Sequence, residues 1–193
     1  VHVPVLLGAA IDGLSVRPGG TYVDCTAGGG GHSAAIARAL EGSGRLICID
    51  RDADAVARVR ERIGSDRSVI VVHGDYGDLP ALLSGLDIAG VDGVLIDAGV
   101  SSQQIDSAER GFSFQREGPL DMRMDRTAGM TAADLLNSAG EDEIARILHD
   151  FGDLKPARRI AAALVARREA TRFVTTADLV ETVRGVFHFV SGT

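Results

Sequence analysis

The first hundred residues repeat a pattern of short apolar runs separated by segments with helical spacing. Four runs are apolar almost throughout, and they span residues 21–25, 45–50, 68–73 and 91–97. The intervening segments predict helices over residues 32–40 and 53–63 and near 79–83. Parallel strands that are covered by helices on both faces require this pattern. The sequence therefore predicts an α/β fold with a doubly wound parallel sheet.

The pattern changes after Asp97. Residues 98–130 are rich in Gly and Ser and contain no periodic stretch long enough for a helix. Thr131 and Asp134 then have the spacing of a capping box, with Asp in place of Glu. Apolar triplets mark three further helices: Ile144, Ile147 and Leu148; Ile160, Leu164 and Val165; and Leu179, Val180 and Val183. We predict an α/β part over residues 1–105, followed by a linker loop and a helical part over residues 106–193.

Composition excludes several classes of protein. The chain is 45% hydrophobic and 24% charged, and no apolar run approaches the ~20 residues of a membrane-spanning helix. We therefore expect a cytoplasmic protein with no membrane partner. Cys25 and Cys48 each lie inside an apolar run and lack the spacing of metal ligands, so we expect two buried, reduced thiols and no metal site.

The net charge of −7 conceals one basic segment. Residues 155–172 hold six cations against a single acid, Glu169. Two interpretations of this segment stay open. It can lie along RNA phosphates, or it can be an ordinary solvated helix face.

Four consecutive glycines, residues 28–31, follow the first predicted strand. Glycine adopts positive φ and lets a ligand approach the main chain, while the next helix presents free N–H groups. This arrangement predicts a nucleotide-cofactor site. Asp50 ends the second strand 19 positions after Gly31, where a carboxylate can accept both hydroxyls of an adenosine ribose.

The residues around the glycines discriminate between cofactors. A dinucleotide fingerprint ends in Gly or Ala, whereas the alignment that starts at Gly28 ends in Ser33. Asp24 would repel a pyrophosphate but suits a cationic amine. These features favour S-adenosylmethionine, an amino acid joined to adenosine, and leave an NAD-dependent oxidoreductase as the alternative.

The third and fourth strands end in further candidates. Tyr76 can stack on adenine and Asp75 can accept its amino group, although a polar turn with an aromatic plug explains both residues equally well. The fourth predicted strand ends in Asp97, which would face the cleft in which cofactor and substrate meet.

Several motifs together resemble the RsmH family, also called MraW. These motifs are His2 to Leu7, the glycine run through His32-Ser33, Ile49 to Asp52, Asp97 to Asp106, Arg110 to Phe114 and Gly118 to Asp125. Members are bacterial S-adenosylmethionine-dependent methyltransferases that modify the exocyclic N4 amino group of a cytosine in 16S rRNA of the small ribosomal subunit. The resemblance implies a Rossmann-like class I methyltransferase domain interrupted by a small helical domain.

The resemblance also implies specific roles for residues. The family's cofactor contacts fall on seven positions: Gly30, Gly31, His32, Asp50, Tyr76, Asp97 and Gln104. Apart from the resemblance, the chemistry of the target amine makes Asp97 a candidate catalytic residue, which would act as an acceptor for the N–H groups or through the cofactor. Phe112, Phe114, Met122 and Met124 either contact the unstacked target base or fill the gap between the two parts of the chain. The expected partner is 16S rRNA or the small subunit, and a homodimer stays a candidate assembly.

The chain departs from the family pattern at a few places. Ala98 stands where Leu is usual, Gln103 where Pro is usual, and residues 151–156 where a Tyr-Gly-Glu-Glu-Arg run is typical. Many amino-methylating enzymes have Asn/Asp-Pro-Pro-aromatic after the fourth strand, whereas this chain has Asp-Ala-Gly-Val. The family also continues with closing strands that these 193 residues do not contain, so a non-catalytic RNA-binding or assembly factor is a further alternative.

Overall fold

A parallel sheet of four strands organises the first half of the chain. The computed structural model describes residues 6–188, so residues 2–5 of the first family motif lie outside the described residues. The strands are β1 (Thr21–Asp24), β2 (Arg45–Asp50), β3 (Val69–His73) and β4 (Gly93–Leu95). Their spatial order is β3-β2-β1-β4, and all three pairings are parallel. The predicted α/β class is confirmed.

Helices cover both faces of this sheet. They are α1 (Leu7–Leu14), α2 (Gly31–Ala39), α3 (Ala53–Ile63) and α4 (Leu79–Gly85), with a 3₁₀ turn at Tyr76–Asp78. Alternate residues of β2 point to opposite faces because the side-chain period of a strand is two. Leu46 and Cys48 pack with Ile36 and Val59 from α2 and α3. Ile47 belongs to a second cluster on the other face, together with partly buried residues of α4.

Both cysteines are free thiols inside this core. Cys25 is 2% exposed and Cys48 is fully buried. Burial raises the pKa of Cys25 to about 11 and the pKa of Cys48 to about 12. Both groups therefore stay protonated at neutral pH, and the prediction of buried, reduced thiols is confirmed.

Two elements of the first half differ from the sequence prediction. The fourth strand was expected over residues 91–97, but β4 spans only Gly93–Leu95, the three residues that pair with Tyr22 to Asp24 of β1. Helix α1 was not predicted. It begins after Leu6 and ends at Ser15, both with positive φ, and its N-terminus has no side-chain cap, so the usual boundary signals are missing.

The second half is built from helices, as its apolar pattern predicts. They are α5 (Ser102–Asp106), α6 (Ala132–Ser138), α7 (Glu141–Asp150), α8 (Ala157–Ala170) and α9 (Thr176–His188), with a 3₁₀ turn at Ala108–Arg110. These helices share one core, whose buried residues include Leu120, Leu136, Ile144, Ile160 and Leu164. The capping box is confirmed, since Thr131 and Asp134 cap the first turn of α6 reciprocally. The prediction of an entirely non-helical segment 98–130 was wrong at α5, which is too short to show periodicity.

The contacts within the chain divide into two compact units. The α/β unit contains the residues up to 101 together with 124–126, and the helical unit contains residues 102–123 and those from 127 onward. Within residues 6–188, no helix is long and apolar enough to cross a membrane.

Two of the family motifs pack against each other inside the helical unit. The Met122 amide donates to the Arg110 carbonyl at 3.0 Å. Gly111 has φ +74°, and a Cβ there would lie 2.4 Å from the Pro119 carbonyl oxygen. Because the two backbones approach so closely, only glycine fits at position 111.

Candidate functional site

The carboxyl ends of the strands bring four acidic or polar residues to one edge of the sheet. Asp24, Asp50 and His73 are the last residues of β1, β2 and β3, and Asp97 follows β4 by two positions. The strands are parallel, so all of these ends meet at the same edge. Ligands of open α/β sheets bind at this edge.

The glycine loop between β1 and α2 depends on positive φ angles. Gly28 has φ +52° and Gly30 has φ +73°. Gly30 precedes the first turn of α2, whose N-terminus has no side-chain cap. A Cβ on Gly30 would lie 3.3 Å from Cδ of Arg62. The first N–H groups of a helix have no partner within the helix, so a helix start of this kind can offer main-chain donors to a ligand.

A side-chain hydrogen bond from Arg62 of α3 stabilises this loop. Its Nη1 donates a 2.8 Å hydrogen bond to the Gly29 carbonyl oxygen. Sequence analysis did not identify Arg62, because the contact joins residues 33 positions apart and Arg62 belongs to no motif.

Asp50 joins three segments of the site. Its Oδ2 accepts the Gly28 amide at 2.8 Å, and its Oδ1 accepts the Asp52 amide at 2.9 Å. Its carbonyl oxygen accepts the Gly74 amide at 3.0 Å, which fixes the chain after β3. An ionised carboxylate has about four lone-pair positions, so Asp50 keeps the capacity to accept ligand hydroxyls.

Asp24 supports the loop from below and has no exposed surface. Its Oδ2 accepts the Ser33 hydroxyl at 2.5 Å, and its Oδ1 accepts the Thr26 amide at 3.2 Å. Burial raises the pKa of Asp24, and the hydrogen bond from Ser33 partly opposes that rise. Ser33, which distinguishes this loop from a dinucleotide fingerprint, therefore has a structural partner directly beneath the glycines.

Asp97 lies beside the start of α2. Its amide donates to Oγ1 of Thr26 at 2.7 Å, and its Oδ2 lies 3.8 Å from Nδ1 of His32. The Asp97 side chain is 55% exposed, whereas that of His32 is 9% exposed. A carboxylate held by its own backbone and open to solvent can accept hydrogen bonds from an incoming ligand.

The turn after β3 carries the aromatic candidate. Tyr76 is 40% exposed. Asp75 caps the 3₁₀ turn through a 2.8 Å hydrogen bond from the Gly77 amide, and its Oδ2 lies 3.6 Å from Nη1 of Arg51. Asp75 is thus engaged as a polar turn residue, while the Tyr76 ring is open to a stacking partner.

Six of the seven predicted cofactor residues lie in the α/β unit around this edge. Gln104 belongs to the helical unit, where its side chain is 7% exposed on α5. Thr26 is a further site residue that sequence analysis missed. Its position directly after the first strand, with a hydroxyl that can hold neighbouring backbone, was the available signal.

Residues 1–192 of the chain match the MraW methylase family. The chain belongs to the MraW methylase family. Among its relatives, the ribosomal RNA small subunit methyltransferase H of Chromobacterium violaceum is 49% identical over 179 residues, which cover 93% of this MraW chain and 56% of that protein. The protein of the same name from Brevibacillus brevis is 48% identical over 185 residues, covering 95% of this chain and 59% of that protein.

The MraW chain thus spans less than two thirds of the length of these relatives. A solved structure, that of NSun6 from Pyrococcus horikoshii with SFG, aligns with a TM-score of 0.42 and 20% identity, covering 83% of this chain and 33% of that chain.

Proposed function

We propose that this chain contains the cofactor-binding unit and a helical domain of an S-adenosylmethionine-dependent methyltransferase. The substrate we propose is the exocyclic N4 amino group of a cytidine in 16S rRNA, free or within the small ribosomal subunit. Membership of the MraW methylase family and the names of the relatives support this proposal. A cytoplasmic location and assembly as a homodimer belong to the same proposal, and sedimentation velocity tests the homodimer.

The hydrogen bond between Gly28 and Asp50 is the observation that carries the cofactor assignment. It ties a loop with main-chain donors to a carboxylate that can accept ribose hydroxyls. Gly30, Gly31 and His32 would contact the amino-acid end of S-adenosylmethionine, Asp50 the ribose, and Tyr76 the adenine. Gln104 is included on the family resemblance alone.

The acids at this edge favour a cationic ligand over a pyrophosphate. Asp24 lies under the loop and Asp97 lies beside it, within 3.8 Å of His32. S-adenosylmethionine carries an ammonium and a sulfonium group, both of which a nearby carboxylate stabilises. A pyrophosphate would meet the exposed carboxylate of Asp97 with like charge.

We assign to Asp97 the role of accepting hydrogen bonds from the target amino group. The amino nitrogen of cytosine is a poor nucleophile because its lone pair is delocalised into the ring. When bound, S-adenosylmethionine would supply the electrophilic methyl group, and S-adenosylhomocysteine would be the leaving group as the bond between sulfur and the methyl carbon breaks. A carboxylate that accepts the N–H groups favours a tetrahedral nitrogen, and the proton that the nitrogen loses after methylation can pass to an oxygen of Asp97.

The target base must leave its stack to react. Phe114 of the helical unit is 72% exposed and Met122 is 42% exposed, so both side chains are accessible to an RNA base. Phe112 is less accessible and lies 6.0 Å from the Arg110 guanidinium. Phe112 and Met124, both partly buried, fit the alternative role of filling space between elements.

Transfer of tritiated methyl groups tests the proposal. The chain and the full-length Chromobacterium violaceum relative are each incubated with labelled S-adenosylmethionine and small ribosomal subunits, and the RNA is hydrolysed to nucleosides. We expect label in N4-methylcytidine, and large ribosomal subunits serve as the control. Label in another nucleoside, or label in large subunits alone, would contradict the proposed substrate.

A further inference from the structure

Five of the six cations of the basic segment 155–172 fall into two groups with different surroundings, and the sixth, Arg172, lies beyond the end of α8. Arg167 donates from Nη2 to Oδ1 of Asp178 at 2.9 Å. Arg168 donates from Nη1 to the carbonyl oxygens of Leu136 and Ala139, at 2.8 and 2.6 Å. These two arginines connect α8 to α9 and to the end of α6, so packing of the helical unit accounts for them.

The second group consists of Lys155, Arg158 and Arg159, which are all exposed. Helix α8 buries Ala157 and Ile160, and this fixes the outward direction of the two arginines between them. Within the part of the chain that the structure describes, no acidic oxygen lies within 4.0 Å of the three cations. Among residues 6–188, no carboxylate therefore forms an ion pair with these three cations.

Helix stability does not explain this group. All three cations lie at or just before the first turn of α8, where the helix macrodipole is positive and cations are unfavourable. No acid lies in that turn, and no side chain caps it. The only acid in the preceding turn is Asp153. A nearby anion from another molecule would relieve this concentration of positive charge.

An aromatic ring lies at the same end of the α7–α8 hairpin. Phe151 directly follows α7, and 80% of its surface is exposed. Two backbone hydrogen bonds hold the turn that follows: the Asp153 amide donates to the His149 carbonyl at 3.1 Å, and the Leu154 amide donates to the Leu148 carbonyl at 3.2 Å. The ring is therefore presented to solvent on a defined turn.

We propose that Phe151, Lys155, Arg158 and Arg159, here termed the α7–α8 surface, bind single-stranded RNA. An exposed ring that stacks on a base, next to cations that contact the backbone phosphates, is the combination that single-strand binding proteins use. The inference rests on the proposed function in one respect, because an RNA substrate is what the family membership supports. It adds to that function a substrate-docking surface on the helical unit.

Fluorescence anisotropy with a labelled single-stranded RNA of about 12 nucleotides, rich in C and U, tests the surface. The double variant Arg158→Ala with Arg159→Ala removes two phosphate contacts. We expect the slope of log K against log salt to become shallower by about 1.4, and affinity at 0.1 M salt to fall roughly twentyfold. Phe151→Ala should weaken binding at least about fivefold and leave the salt slope unchanged.

Matched variants separate this surface from general charge and folding effects. Arg67→Ala with Arg184→Ala removes the same charge from two exposed positions elsewhere and should bind RNA with the original slope. Phe151→Tyr keeps a stacking ring and should bind as the parent does. Wild-type affinity and slope in both test variants would overturn the inference. The inference would also be overturned if an acidic peptide displaced the RNA and the control variant Arg67→Ala with Arg184→Ala weakened RNA binding as much as the test variant does.

Calorimetry with S-adenosylhomocysteine distinguishes this inference from the proposed function. Every variant should bind S-adenosylhomocysteine as the parent does, because none touches the glycine loop. Absence of that binding in the parent would contradict the proposed function, while the anisotropy results would still decide the surface.

Discussion

The backbone amide of Gly28 donates a 2.8 Å hydrogen bond to Oδ2 of Asp50. This bond joins the glycine loop, which follows β1, to the end of β2. It gives Asp50 two functions, since the same carboxylate shapes the loop and faces the edge at which a ligand would bind. The two functions can be separated by substitution.

Asp50→Ala leaves the amides of Gly28 and Asp52 without their acceptor, whereas Asp50→Asn keeps one acceptor oxygen and removes the charge. We expect Asp50→Ala to lower the free energy of unfolding by about 1 to 2 kcal/mol and Asp50→Asn to lower it by less. Both should weaken S-adenosylhomocysteine binding at least about tenfold. Urea unfolding and calorimetry measure the two effects. Wild-type affinity in Asp50→Asn would exclude a ligand contact for this carboxylate.

Arg62→Ala tests whether the glycine loop needs its lateral hydrogen bond. The substitution removes the 2.8 Å bond to the Gly29 carbonyl from an exposed side chain, so stability should change little. We expect cofactor affinity to fall about three- to tenfold, because a looser loop must be ordered on binding. Arg67→Ala, at an exposed position outside the loop, is the control. Equal affinities in the two variants would show that the loop holds its conformation without Arg62.

The buried carboxyl of Asp24 predicts a pH dependence of stability. Burial raises its pKa in the folded state above the unfolded value of about 3.9. Between these two values the folded state binds more protons than the unfolded state, so the free energy of unfolding falls as pH rises. Asp24→Asn removes this contribution. Relative to the parent, the variant should therefore gain stability as pH rises from about 4, measured by urea unfolding across a pH series. A constant difference would contradict the prediction.

Asp178 should behave in the opposite sense. Hydrogen bonds from the Thr175 and Val174 amides are the main cause of its lowered pKa, and Arg167 contributes. The stability it provides is present above the unfolded pKa of about 3.9 and is lost as pH falls through the folded value. Asp178→Asn should lower the free energy of unfolding by about 1 to 2 kcal/mol at pH 7 and by less at about pH 3. An equal loss of stability at pH 7 and at pH 3 would show that the altered hydrogen bonding of the side chain, and not its lost charge, causes the effect.

The elements predicted most accurately combine apolar periodicity with a boundary signal. Strand β2 and helix α3 occur over the residues expected, 45–50 and 53–63. Asp52 caps α3 through a hydrogen bond from the Asp54 amide, which is a recognisable start. Strand β4 is shorter than its apolar run, because its pairing covers only the last three residues of β1, Tyr22 to Asp24. Hydrophobicity alone does not contain that information.

In the candidate site too, the features set by local sequence were predicted and the contacts between distant residues were not. The glycine loop and Asp50 were predicted from spacing, because the order of strand, loop and helix is local. The bonds from Arg62 to Gly29 and from Asp97 to Thr26 join residues 33 and 71 positions apart. Such contacts depend on strand order and helix packing, which a single sequence does not display.

Asp97→Asn tests the assignment of the target amine. The substitution keeps the backbone hydrogen bond to Thr26 but removes the negative charge and one acceptor. We expect methyl transfer to small ribosomal subunits to fall at least about a hundredfold, while RNA binding is unchanged. Thr26→Ala is a useful companion, since it releases the Asp97 backbone and leaves the carboxylate intact. Full methyl transfer by Asp97→Asn would remove Asp97 from the chemistry.

Isothermal titration calorimetry with S-adenosylhomocysteine and, separately, NADH tests the central claim most directly. The exposed carboxylate of Asp97 beside the glycine loop favours a ligand with a cationic group over a pyrophosphate. The account predicts one S-adenosylhomocysteine bound per chain, weakened by Asp50→Asn, and no heat of binding with NADH. Binding of NADH, or no heat with S-adenosylhomocysteine, would contradict it.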